Sequence, residues 1–277
     1  MRTSHKEMRR KINAEVSKIT DEELFSSAAF AAYLTDIAEA VTKRYKRRLR
    51  VETIYDTSEN AMIACTNNHN ILINTGNYIS QSMPYRKLKV ESILGLVGHE
   101  VGHMLFTNFR ISETYFSELS YGRLYPQMEL SEEEQESFTE VTDYFKTGTE
   151  AQKQAILKAA KLLLNILEDA YIEARICDRY TGRFATGIHL NNIRFTEMMP
   201  SVTEQLTNGC YRFSVFCNLL NQYCRSGDIN NRDGYTGELL DLFYDVLPLV
   251  DDAIYDEDMK RRCYAVNRIL LMVWAYI

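Results

Sequence analysis

A nearly continuous apolar segment covers residues 95–109, which read GLVGHEVGHMLFTNF. If this segment is helical, its hydrophobic side chains fall on almost every side of the helix, which is typical of a buried helix. Three ionisable residues interrupt it, namely His99, Glu100 and His103. Burial of such groups is costly unless they are paired or bound to a metal ion. The segment therefore predicts a buried helix that carries a functional site.

The spacing of the two histidines fits the HExxH motif. Residues four apart on a helix are separated by about 40° around its axis, so His99 and His103 can reach one metal ion. Glu100 points from the same helix and can act as a general base. The alternative is a chance match in which both histidines are hydrogen-bonded core residues. We predict a zinc site in which His99 and His103 are ligands and Glu100 is the catalytic base.

Glycines within the same segment favour the metal site over the chance match. Each glycine costs a helix about 0.5–1 kcal/mol relative to alanine, so close approach of another backbone or a ligand explains it more readily. The glycines of this segment are Gly95, Gly98 and Gly102.

A second helix with charges inside an apolar pattern is expected at residues 151–180, whose centre reads KLLLNILEDAYIEARI. A zinc site needs a third protein ligand, and buried carboxylates favour a cation. Spacings of three and four residues place Asn165, Glu168 and Asp169 on one face of this helix. We predict Glu168 as the third ligand, with Asp169 orienting a ligand histidine through its Nδ1 hydrogen and Asn165 supporting them.

Two alternatives stay open for these carboxylates. In the first, Asp169 rather than Glu168 is the metal ligand. In the second, no metal is involved, and the carboxylates belong to an internal ion-pair network with Arg175 or Arg179.

The two motifs together resemble those of a known group of enzymes. HEVGHMLF followed by Glu168 on a later helix is similar to the gluzincin arrangement of two histidines and a glutamate. More narrowly, HEVGHMLFTNF with NILEDAYIEARI resembles the zinc metallopeptidase region of bacterial and phage proteins that often carry a von Willebrand factor A domain. The order of elements extends this resemblance over residues 50–195.

The resemblance implies a zinc metallopeptidase that hydrolyses peptide bonds in a peptide or protein substrate. By residue type, Tyr171 and His189 are candidates for the donor that stabilises the oxyanion. The alternative function is a catalytically silent zinc-binding module that works with a von Willebrand A domain or an AAA+ ATPase.

The remaining pattern predicts a mostly helical α+β protein. A capping box at residues 20–23 opens a helix to about residue 47, and a second box at 131–134 opens an acidic helix. Strands are expected from β-rich runs at 50–55, 61–66 and 71–75, with a hairpin turn at 67–70. Further helices are expected at about 201–225, 237–247 and 257–277.

Composition limits the classes of partner. The 277 residues carry a net charge of −6, which argues against a general nucleic-acid binder. The apolar run at residues 269–277 is too short to cross a membrane, so no membrane role is expected. The six cysteines form no CxxC pair, and without a signal peptide they indicate reduced thiols in a cytoplasmic protein.

These patterns together predict three regions. Residues 1–19 form a flexible N-terminus, and residues 20–195 form a zincin-like metallopeptidase domain with a small N-terminal β-sheet. Residues 196–277 form a helical C-terminal subdomain. Because the apolar pattern of the last helix breaks off at residue 277, the natural chain is expected to continue.

Overall fold

The computed structural model describes residues 4–16, 18–45 and 48–277. Its described part is mostly helical and includes one three-stranded sheet, which confirms the predicted α+β class. The chain divides into two compact units, residues 1–105 with 176–191 and residues 106–175 with 192–277.

The elements follow one another in chain order, and three helices contribute residues to both units. The first eight are α1 (His5–Val16), α2 (Asp21–Phe25), α3 (Ala28–Thr42), β1 (Arg50–Ile54), β2 (Ala64–Thr66), β3 (Asn70–Asn74), α4 (Tyr78–Gln81) and α5 (Arg86–Phe106). The others are α6 (Phe109–Ser120), α7 (Glu132–Thr147), α8 (Glu150–Arg179), α9 (Arg183–Met198), α10 (Val202–Thr207), α11 (Arg212–Ser226), α12 (Glu238–Tyr255), α13 (Met259–Met272) and a 3₁₀ turn (Trp274–Tyr276).

The sheet of the first unit has the order β1-β3-β2. β3 runs parallel to β1 and antiparallel to β2, so the predicted hairpin joins β2 to the central strand. Val51, Ile71 and Ile73 are buried, and α3 packs against β1. The outer edge of β2 ends the sheet.

The predicted helix from residue 20 to about 47 is interrupted. The capping box at Thr20 is present as predicted, but α2 ends at Phe25, and the Ser27 side chain caps a new helix by accepting from the Phe30 amide. Phe25 and Phe30 are both buried, so the break turns an aromatic ring inward on each side of it. Residues 46–47, at the predicted end of this helix, lie outside the described residues.

A helix, α1, occupies most of the stretch for which we predicted a flexible terminus. Its described side chains are exposed, including the apolar Met8 and Ile12. Nothing in its packing tests the predicted flexibility.

Close approach of α9 explains two of the glycines on α5. A Cβ atom on Gly95 would lie 2.3 Å from the carbonyl carbon of Gly187 on α9. A Cβ atom on Gly98 would lie 2.8 Å from the ring of Phe184. Both distances are far below van der Waals contact, so α5 and α9 cross at a separation that only glycine permits. The predicted approach of another backbone is confirmed at Gly95, whereas Gly98 faces a side chain.

The second unit is a bundle of helices around its own apolar core. The helix α13 packs against α6, α7 and α12, and most of its residues are buried. The capping box predicted at Ser131 is present and begins α7. Among the described residues, none of the helices combines the length and apolar character needed to cross a membrane.

Two helix boundaries in this unit differ from the prediction. The stretch expected as one helix at 201–225 is divided into α10 and α11, because Gly209 adopts a left-handed conformation with φ of 77°. The helix expected to end at residue 247 continues through Pro248. Pro248 is exposed, so water can satisfy the carbonyl that loses its amide partner.

Candidate metal centre

The helix α5 brings the two motif histidines together as predicted. The Nε2 atoms of His99 and His103 lie 3.2 Å apart, and their rings meet edge to face. Both side chains are half-buried, on a helix whose neighbouring residues are mostly buried. The spacing of four residues therefore gives two imidazole nitrogens that converge on one point.

This separation fits two ligands of one metal ion. Two nitrogens bound to a tetrahedral zinc ion, each at about 2.0–2.1 Å, are separated by about 3.3 Å. The observed 3.2 Å between the Nε2 atoms is close to that value. Imidazole nitrogens are also donors that zinc prefers.

Glu100, the predicted base, is buried on the same helix. Burial, followed by the charge of Glu100, raises the pKa of the Cys65 thiol on the edge strand β2.

One arginine links the β2–β3 turn to the end of α5. Nη1 of Arg44 donates to the carbonyl oxygen of Asn68 at 2.5 Å and to its Oδ1 at 3.1 Å. Nη2 of Arg44 donates to the carbonyl oxygen of Met104 at 3.4 Å. This guanidinium satisfies a carbonyl of the last turn of α5, where a positive charge is also favoured by the helix dipole. The hairpin is thereby fixed against the end of the helix that carries both histidines.

Glu168, the predicted third ligand, is buried in the second unit and bound to an arginine. Nε of Arg262 on α13 donates to Oε2 of Glu168 at 2.6 Å, and the Arg262 side chain is fully buried. The guanidinium also lies 3.9 Å from the ring centroid of Tyr171. Oε1 of Glu168 and Nη2 of Arg262 have no hydrogen-bond partner among the described residues. Glu168 therefore already has a full countercharge in the protein.

Asp169 has a weaker contact with a different arginine. Nη2 of Arg225 on α11 lies 3.6 Å from Oδ2 of Asp169, and both side chains are about one-fifth to one-quarter exposed. The same guanidinium contacts Glu173, one helical turn further along α8. Of the two predicted carboxylates, Asp169 is the more accessible and has the longer contact with its arginine.

Comparison with known proteins gives no match: no family model, no curated protein and no solved structure matches this chain. The site is therefore described from its own residues. Among those that the structure describes, His99, His103 and Asp169 form a group that could hold a metal ion, since each offers one ligand atom.

The other candidate residues predicted from the sequence differ in their exposure to solvent. Asn165 is exposed, and a supporting role for it stays a prediction. His189 is exposed on α9, whereas Tyr171 is buried beneath Arg262. Neither observation tests their predicted part in stabilising an oxyanion.

Sequence reasoning missed the arginines that contact the α8 carboxylates. It considered an ion-pair network with Arg175 or Arg179, which are nearby on the same helix. Arg175 instead pairs with Glu257 on the loop before α13. The pairing arginines, Arg225 and Arg262, come from helices much later in the chain, so no local spacing points to them.

Proposed function

We propose that the chain is a zinc-dependent peptidase in which His99, His103 and Asp169 hold the metal ion. The observation that carries this proposal is the 3.2 Å separation of the two histidine Nε2 atoms on a mostly buried helix. A catalytic zinc site commonly has three protein ligands and keeps a further position for water or substrate. When bound, the ion would polarise a carbonyl group and lower the pKa of water toward about 7.

The proposal takes Asp169 rather than Glu168 as the carboxylate ligand. Glu168 is neutralised by Arg262 in a buried pair, and breaking such a pair leaves an uncompensated buried charge. Asp169 has a longer contact with its arginine and belongs to the group that could hold a metal ion. A histidine–histidine–carboxylate set also suits zinc, which accepts nitrogen and oxygen donors together.

Glu100 would act as the general base. It would take a proton from the attacking water and deliver it to the leaving amine. Burial of Glu100 would keep bulk water away from the reacting groups. His99 and His103 lie on the same helix, so the base and the two histidine ligands would share one rigid element.

A zincin-like fold for the first unit is part of the same proposal. Its support is the small sheet, whose β2–β3 turn is joined to the last turn of the HExxH helix by Arg44. The free edge of β2 would pair with an extended peptide substrate, as strand addition generally does. A von Willebrand A domain or an AAA+ ATPase as partner stays a prediction from the resemblance of the two motifs.

The test compares two glutamates of α5. Glu100→Gln should retain zinc but reduce hydrolysis of an unfolded protein substrate by about 10²-fold or more. Glu91→Gln is the matched control, because Glu91 lies on the same helix and is also largely shielded from solvent. Full activity of Glu100→Gln would remove Glu100 as the base. Zinc binding by the wild-type chain without any hydrolysis would favour the silent zinc-binding module instead.

A further inference from the structure

Arg225 on α11 is held by polar contacts with two other helices and its own. Its Nε donates to Oδ1 of Asn221 at 2.7 Å, and its Nη1 donates to Oδ1 of Asn192 at 3.0 Å and to Oε1 of Glu173 at 3.4 Å. Nη2 reaches Asp169 at 3.6 Å. Both ends of the planar fork are therefore engaged, so its orientation is fixed.

Further contacts hold this arrangement in place. The Arg225 guanidinium lies 5.1 Å from the ring centroid of Phe195, on α9. Nδ2 of Asn192 donates to Oε2 of Glu173 at 2.7 Å, so the amide binds the arginine through its oxygen and the glutamate through its nitrogen. An arginine fixed by a ring on its face and hydrogen bonds on its edge has little freedom to move.

We propose that Arg225 is a positioning residue that sets the orientation of Asp169 for metal binding. This inference rests on the proposed function, in which Asp169 is the third ligand. Arg225 contacts the carboxylate through Oδ2. This contact with a fixed guanidinium restricts the rotation of the carboxylate, so Arg225 limits the directions in which its oxygens can point.

Repulsion along α8 gives this arginine a second effect on the same carboxylate. Asp169 and Glu173 are four residues apart on one helix, so their negative charges repel each other. Arg225 lies between them and contacts both. Without it, this repulsion would be uncompensated, and ordering the Asp169 carboxylate for a metal ion would cost more. Arg225 thus orients the ligand in advance of metal binding.

The test is the zinc dissociation constant, measured by competition with a chromophoric chelator on the full chain. Arg225→Gln should weaken zinc binding about 10–100-fold, the usual effect of losing a residue that orients a ligand. Arg225→Lys should restore part of the loss, because it keeps the charge but not the fork.

Arg268→Gln is the matched control for a general structural effect. Arg268 is as exposed as Arg225, pairs with a carboxylate, Glu134, and lies 5.3 Å from the ring centroid of Tyr264. It should bind zinc as the wild type does, even where its thermal unfolding temperature falls.

Three results would overturn the inference. The first is wild-type zinc affinity in Arg225→Gln, which would leave the proposed function intact. The second is equal weakening in Arg268→Gln, which would make the effect a general loss of structure. The third is the absence of zinc binding in the wild type, which would remove the proposed function as well. If Arg225→Gln does not fold, Arg225→Lys alone decides, with an expected affinity measurably below that of the wild type.

Discussion

Replacement of Arg262 by methionine should destabilise the second unit severely, because it leaves Glu168 as a buried carboxylate without a countercharge. Breaking a buried ion pair from one side typically costs about 3–5 kcal/mol. Arg262 also donates through Nη1 to the carbonyl oxygen of Asp256 at 2.7 Å, so its loss removes a further, partly buried hydrogen bond. We therefore expect a loss near the upper end of that range.

The assay is urea unfolding of the metal-free chain, so that metal binding does not contribute to the free energy of unfolding. In a parallel thermal melt, the same loss lowers the melting temperature of a unit of this size by about 6–20 °C. Arg175→Met is the matched control, because Arg175 lies 5.5 Å from the same Tyr171 ring but its pairing with Glu257 is exposed. Its loss should cost less than about 1 kcal/mol.

A double variant separates charge from packing. Arg262→Met with Glu168→Met removes both charges, and apolar replacement of a whole buried pair is often neutral. The double variant should therefore recover at least about 2 kcal/mol of the loss in Arg262→Met. The reasoning is refuted if Arg262→Met costs no more than the Arg175→Met control, or if the second substitution adds to the loss.

Two further predictions concern the first unit. Gly95→Ala should lower the free energy of unfolding by about 1–3 kcal/mol, because the added Cβ meets the backbone of α9. Gly182→Ala is the control: its Cβ would enter open space, so the free energy of unfolding in chemical denaturation should change by less than about 1 kcal/mol. For Asp21, burial acts in the opposite direction, but hydrogen bonds from Lys89 and Arg86 hold its pKa below the usual value. The ionised Asp21 carboxylate therefore stabilises the fold above the unfolded pKa of about 3.9, and this stabilisation is lost as the pH falls through the folded pKa. Asp21→Asn should lower the free energy of unfolding by about 1 kcal/mol at pH 7 and by less at pH 3. Equal losses at both pH values would contradict this reasoning.

The elements that local patterns specify were predicted well. The buried helix with the HExxH motif, the long helix α8 and both capping boxes are present where the sequence placed them. The patterns that predict these elements, apolar spacing and capping side chains, each extend over only a few neighbouring residues. The pairing of two histidines at 3.2 Å follows from helical geometry alone, so it too was predictable.

Features that depend on distant residues were not predictable in the same way. The partners of Glu168 and Asp169 come from α13 and α11, and nothing in the spacing along α8 selects Arg262 or Arg225. Helix breaks were missed for a different reason: a left-handed glycine such as Gly209 can end a helix or be tolerated within one. The parallel pairing of β1 with β3 likewise joins residues that are distant in the chain, such as Arg50 and Asn70, so no local turn specifies it.

The central claim is that His99, His103 and Asp169 bind zinc. Its most direct test is elemental analysis of the purified wild type beside His103→Ala, Asp169→Ala and Glu168→Gln, the last of which keeps a hydrogen-bond acceptor for Arg262. We expect about one zinc ion per chain in the wild type and in Glu168→Gln, and loss of zinc in the other two. A wild-type chain without zinc would contradict the claim. Zinc that is lost in Glu168→Gln but kept in Asp169→Ala would make Glu168 the third ligand, as the sequence first predicted.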